Sequence, residues 1–284
     1  MLKKEENLFK NEALESPHAV ESTECESASE KKIRILPSFL SDKKKRTAII
    51  AMSVSILVVL GALIGGLIYV NDYYRANNEA IAIFAERYES VNRVELDNGI
   101  AYEPSENEKQ IGFIFYPGGK VEYTAYEPLM LELADEGVLC VLIEMPFNLA
   151  VLGVNSADSV FDLYPEVESW YIGGHSLGGS MAASYLASNS EKLSGLILLG
   201  SYSTDRVELP TLSIYGSNDG VMNREKYDKY KENLVSLTEF VIEGGNHAYF
   251  GMYGEQSGDG NADISVIDQT DMTATLILDF VVNK

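Results

Sequence analysis

Residues 173–179 read Gly-Gly-His-Ser-Leu-Gly-Gly, which places G-x-S-x-G spacing at Gly174, Ser176 and Gly178. A serine hydroxyl becomes a useful nucleophile only when its surroundings present it to substrate and a base takes its proton. Glycines on both sides of Ser176 let an entering strand turn sharply into a helix, exposing the hydroxyl on an elbow. At that helix N-terminus the Leu177 N–H points toward a developing oxyanion, and the helix dipole adds to it. Two histidines follow residue 70, His175 and His247. His175 adjoins the serine, and chain neighbours point apart at such a turn, so the base is expected at His247, in Gly244-Gly245-Asn246-His247. An acid that orients the imidazole belongs after a strand between serine and histidine. Asp219, in Gly216-Ser217-Asn218-Asp219-Gly220, meets that requirement; Asp205 and Glu144 also lie at strand ends. The order Ser, Asp, His favours Asp219.

Elements able to position these groups alternate along the chain. A helix is expected over 77–91, then a hairpin over 91–102 turning at Asp97-Asn98-Gly99. Short apolar runs predict strands at 111–116, 138–143, 170–173, 193–199, 211–215 and 239–242. Helical stripes fall at 126–134, 177–188 and 224–234, with a weaker one at 156–164 and a last one over 273–281. The pattern predicts an α/β fold: a mostly parallel sheet covered by helices on both faces, preceded by one transmembrane helix. In such sheets chemistry gathers beyond the carboxyl ends of the strands.

Residues 111–283 resemble the α/β-hydrolase superfamily, and most closely its small, lidless members related to dienelactone hydrolase. The likeness rests on Tyr-Pro-Gly-Gly at 116–119, Gly-His-Ser-Leu-Gly-Gly at 174–179, Gly-Ser-Asn-Asp-Gly at 216–220 and Gly-Gly-Asn-His at 244–247. It implies Ser176 as nucleophile, Asp219 as acid and His247 as base. It also implies a second oxyanion donor in the loop after the first main strand, where His-Gly-x is usual. Here Pro117-Gly118-Gly119 occupies that place, so the donor is Gly119 or Lys120, with Gly119 preferred. Dienelactone hydrolases proper carry a cysteine nucleophile; the serine here departs from them in nucleophile while keeping acyl-transfer chemistry. Asp205–Pro210 is too short a connection for a cap domain, leaving 145–168 and 248–267 to shape access.

The chain holds 22 Lys+Arg against 43 Asp+Glu, a net charge of −21, which excludes a nucleic-acid binder. Residues 1–70 carry ten basic and nine acidic groups, so the acidity belongs to 71–284. No charged side chain occurs between Arg46 and Asp72, and 48–70 is almost wholly apolar. At about 1.5 Å per residue that run spans a bilayer core of roughly 30 Å. Lys43, Lys44, Lys45 and Arg46 on its N-terminal flank predict a cytoplasmic N-terminus and an extracytoplasmic C-terminal part, in a bacterial plasma membrane. Expected organisation is a disordered cytoplasmic tail at 1–46, a span at 47–71, a linker helix and hairpin at 72–110, and the catalytic domain at 111–284. Cys25 and Cys140 then lie on opposite sides and cannot pair. Gly61 and Gly65 form a GxxxG pattern that would let two spans pack weakly. Asp259-Gly260-Asn261-Ala262-Asp263 resembles the start of a calcium loop, but Ile264 replaces the needed glycine and no acid closes it. It reads as a polar loop.

Together these features predict a membrane-anchored serine hydrolase for an ester, lactone or thioester, with no cofactor and no metal. An acyltransferase of the same fold is the nearest alternative. A binding module that keeps the fold without catalysis is the alternative from another class. The acidic surface favours neutral or cationic substrates, because long-range repulsion slows anions.

Overall fold

The computed structural model describes residues 42–105 and 110–282. The tail expected at 1–46 lies outside the described residues except at its last few positions, and Cys25 lies outside them entirely. α1, Asp42–Asn71, is one helix long and apolar enough to cross a membrane, and its large side chains, Leu57 and Leu67 among them, are uncovered. From Val58 onward the chain forms one compact unit.

Among the described residues eight strands make one sheet in the order β1-β2-β4-β3-β5-β6-β7-β8. β1 (Asn92–Leu96) and β2 (Gly99–Glu103) form an antiparallel hairpin, and β2 also pairs antiparallel with β4 (Leu139–Ile143). The hairpin is thus the edge of the main sheet. The remaining strands run parallel: β3 (Ile111–Tyr116), β5 (Ser169–His175), β6 (Gly195–Leu199), β7 (Val207–Gly216) and β8 (Leu234–Ile242). β3, β4 and β6 are wholly buried, as strands covered on both faces must be.

Alternation along those strands builds two cores. Phe113, Phe115, Ile197 and Leu199 face α3 (Glu127–Asp135) and α7 (Val266–Val282). Ile114, Tyr116, Leu196 and Leu198 face α5 (Leu177–Ser188). α5 packs tightly because its first turn is small: a Cβ on Gly178 would meet the Tyr116 carbonyl at 2.2 Å. α2 (Asn78–Ala85) ends earlier than its apolar stripe, α4 (Asp158–Phe161) is a single turn, and α6 spans Arg224–Tyr230.

The chain order reverses around β3, with β4 on one side and β5 on the other. Loops leaving the carboxyl ends of β3, β5, β6, β7 and β8 therefore converge where the sheet opens a crevice.

Candidate active site

Ser176 follows β5 directly, at φ 53° and ψ −122°. This conformation is costly for a non-glycine residue, of order 1–3 kcal/mol, and survives only where neighbours over-determine it. They do so here. The Ser176 N–H donates to the Leu199 carbonyl at 2.9 Å, and the Ser201 hydroxyl donates to the Ser176 carbonyl at 2.6 Å. Gly174 and Gly178 each sit against the Tyr116 carbonyl, leaving no room for a side chain. The residue types on either side of the serine thus follow from the turn itself.

Asp219 lies just past β7 and His247 just past β8. The Nδ1–H of His247 donates to Asp219 Oδ2 at 2.8 Å, and both side chains are 1% exposed. Because a carboxylate only accepts, the proton resides on Nδ1 and the lone pair on Nε2. His247 Nε2 is buried and has no hydrogen-bond partner among the described residues. Asp219 Oδ1 accepts from the Val221 and Met222 amides at 2.9 and 2.8 Å, which fixes the carboxylate plane. Asp205 and Glu144, the other acids at strand ends, make no hydrogen bond to His247 among the described residues. The Asp205 N–H is bonded to Ser203 Oγ, and Glu144 is exposed.

Gly119 adjoins the elbow, since a Cβ there would stand 2.8 Å from Leu177 Cδ2. The Gly119 and Leu177 amides donate to no protein group among the described residues. By contrast the Lys120 N–H is occupied by the Asn148 carbonyl at 2.8 Å. Beside Ser176 a cavity of about 250 Å³ is lined by Leu177, Ser180, Tyr202, Val221, Met222 and Asn223.

His175 is turned away from the cavity and buried. Its Nδ1 accepts from the Tyr126 hydroxyl at 2.8 Å, and that hydroxyl accepts from the Gly118 N–H at 3.1 Å. Burial, aided by His247 nearby, holds the His175 imidazole well below its usual pKa, so it stays neutral. Its ring packs 4.3 Å from that of His247. A Cβ on Gly118 would strike both Tyr126 and His175, which explains glycine there.

Three supporting groups escaped the sequence reading. Gly200, at φ 52°, closes β6 against the His247–Asp219 pair; a Cβ would stand 2.9 Å from His247 Nδ1. Asp259 accepts from the amides of Gly220, His247, Ala248 and Gly260. Gln269 of α7 exchanges two hydrogen bonds with the Asn246 backbone. The polar run at 259–263 was a visible signal, and its carboxylates accept from backbone amides and from Asn218. Gly200 left no sequence signal beyond following an apolar strand.

A mostly parallel sheet with a strained serine after β5 and a buried Asp–His pair after β7 and β8 defines the α/β-hydrolase architecture. The chain belongs to that family: the model of the alpha/beta hydrolase family matches residues 112–271. Among solved structures it is similar to Est1E from Butyrivibrio proteoclasticus, at 15% identity and a TM-score of 0.50, covering 67% of this chain and 98% of that one. It is also similar to TT1662 from Thermus thermophilus, at 12% identity and a TM-score of 0.51, covering 68% and 99%. At such identities the likeness is one of fold. No curated protein matches the chain.

Proposed function

We propose that this protein is a membrane-anchored serine hydrolase that cleaves a carboxylic ester, lactone or thioester through an acyl-enzyme. The observation that carries the reading is the buried 2.8 Å bond from His247 Nδ1 to Asp219, which leaves Nε2 without a hydrogen-bond partner among the described residues, in a ring 4.3 Å from that of His175, the residue before Ser176. An unpartnered buried acceptor is costly unless a reacting group supplies its proton.

In the proposed reaction Ser176 Oγ attacks the acyl carbon as His247 Nε2 takes the hydroxyl proton. Asp219 stabilises the imidazolium that results. The free amides of Leu177 and Gly119 receive the oxyanion; Lys120, whose amide is engaged, is set aside as the second donor. His247 then protonates the leaving alcohol or thiol, and a water activated by the same nitrogen releases the acid. No step calls for a cofactor. The cavity of about 250 Å³ suits a small acyl portion. The basic cluster at Lys43–Arg46 supports a cytoplasmic N-terminus, which puts this chemistry outside the cytoplasm.

Turnover of a short-chain ester by the full-length protein in detergent tests the reading. Ser176→Ala should lower it by at least about a thousandfold. Retained ester binding with no turnover in the wild-type protein would instead identify a binding module.

A further inference from the structure

The residues that leave α1 are tied at once to the loop that borders Ser176. Lys120 Nζ lies 4.7 Å from the Tyr69 ring and 2.8 Å from Asp72 Oδ2. Tyr74 donates its N–H to the Lys120 carbonyl at 2.8 Å and accepts from the Glu122 N–H at 2.9 Å. The Tyr74 hydroxyl accepts from the Ser257 N–H at 3.2 Å, on the far side of His247 in sequence. Three residues cover at most about 11 Å, so Tyr74, which pairs with Val121, stays that close to the end of the span. The headgroup layer is itself roughly 5–7 Å deep on each side.

The next contact outward is apolar. The Lys120 amide holds Asn148, and the turn around it displays Phe147, Val151 and Leu152 at 63%, 48% and 57% exposure. Phe147 and Asn148 both adopt left-handed backbone, at φ 54° and 56°, and the phenyl ring is exposed. Three large apolar side chains on one short turn are costly in water and favourable in lipid. Lys120 therefore links the end of the apolar helix, the exposed apolar turn and, through Gly119, the serine elbow.

We propose that the turn 146–152 inserts into the surface of the membrane that holds α1, so that Ser176 works at headgroup depth on acyl esters of membrane-resident amphiphiles. This rests on α1 spanning the membrane and on Ser176 as nucleophile. The acidic remainder of the domain directs the choice toward a neutral or zwitterionic lipid surface, since an anionic one would repel it. The bilayer is the occupant that the 72–74 tether brings to the turn without any further binding event.

Full-length protein in nanodiscs separates this proposal from the hydrolase reading. With Phe147→Trp, lipids brominated near the glycerol should quench the added emission and spare the buried native Trp170. Unquenched emission overturns the proposal, as does emission that changes only when two copies share a disc, which would mark a contact between copies. The double variant Phe147→Ser, Leu152→Ser should lose about tenfold or more in turnover of a disc-embedded ester while keeping that of a water-soluble short-chain ester. Equal loss on both substrates, or loss on neither, contradicts the assigned substrate class. Quenching without turnover of any ester would refute the hydrolase reading and leave the membrane contact standing.

Discussion

The carboxylate of Asp259 holds the backbone of His247. One oxygen accepts from the His247 and Gly220 amides at 3.3 and 3.0 Å, and the other from Ala248 at 2.8 Å. A single side chain thereby ties the loop after β8, which carries the histidine, to the residue following Asp219. The 2.8 Å bond between Asp219 and His247 depends on both loops holding station.

Replacing that carboxylate should loosen the pair without touching substrate. Asp259→Ala leaves several backbone donors unmet, at a cost of about 1–3 kcal/mol. Thermal denaturation should fall by several degrees, and kcat by about tenfold to a hundredfold with KM little changed. An unaltered kcat in a destabilised protein would assign Asp259 to the fold alone.

Gly200 tests the same pair from the sheet side. At φ 52°, with a Cβ 2.9 Å from His247 Nδ1 and 3.1 Å from Asp219 Oδ2, Gly200→Ala must displace one of them. Ester turnover should drop by about a hundredfold or more while the far-ultraviolet circular dichroism persists. Wild-type turnover would show that the pair can shift at no cost.

Away from the site, Glu132 of α3 lies buried beside Asp271 of α7 and accepts from the Tyr88 hydroxyl at 3.2 Å. Burial first, then Asp271, pushes its pKa from 4.5 up to about 8. The folded chain thus keeps a proton that the unfolded chain releases between those values, so this group's contribution to stability falls as pH rises through that window. Glu132→Gln should flatten the decline: its melting temperature should overtake that of wild type toward pH 8 and approach it near pH 4.5. Parallel profiles for the two proteins would show that Glu132 titrates normally.

Charge should appear in the kinetics as well. With a net charge of −21, anionic esters meet long-range repulsion that salt screens. Their kcat/KM should rise with ionic strength, while that of a neutral ester of the same acyl group stays level. An anionic ester turned over fastest at low salt would contradict this.

Legibility in the sequence followed how local the determinants were. β3 and α5 occupy the residues that their patterns predict, because an unbroken apolar run and a small-residue stripe each describe one buried element. β7 and β8 both begin earlier than expected. A proline cannot donate to a sheet ladder, and β7 accommodates Pro210 with an irregular register against β8. β8 is an edge strand whose residues 235–241 are largely exposed, so its longest continuous apolar run is the last three residues, Phe240-Val241-Ile242. α4 shrinks to one turn before Pro165. Ser176, Leu177, Asp219 and His247 stood out because each sits in a glycine-marked turn after a strand. The roles of Asp259, Gly200 and Tyr126 did not, since what defines them is a backbone amide or a ring brought close only by folding.

The central claim is that Ser176 is an activated nucleophile, and fluorophosphonate labelling of the full-length protein with peptide mass mapping tests it most directly. One adduct on Ser176 is expected, lost in Ser176→Ala and strongly slowed in His247→Ala. No adduct on a folded protein, or an adduct formed at equal rate without His247, would contradict the account.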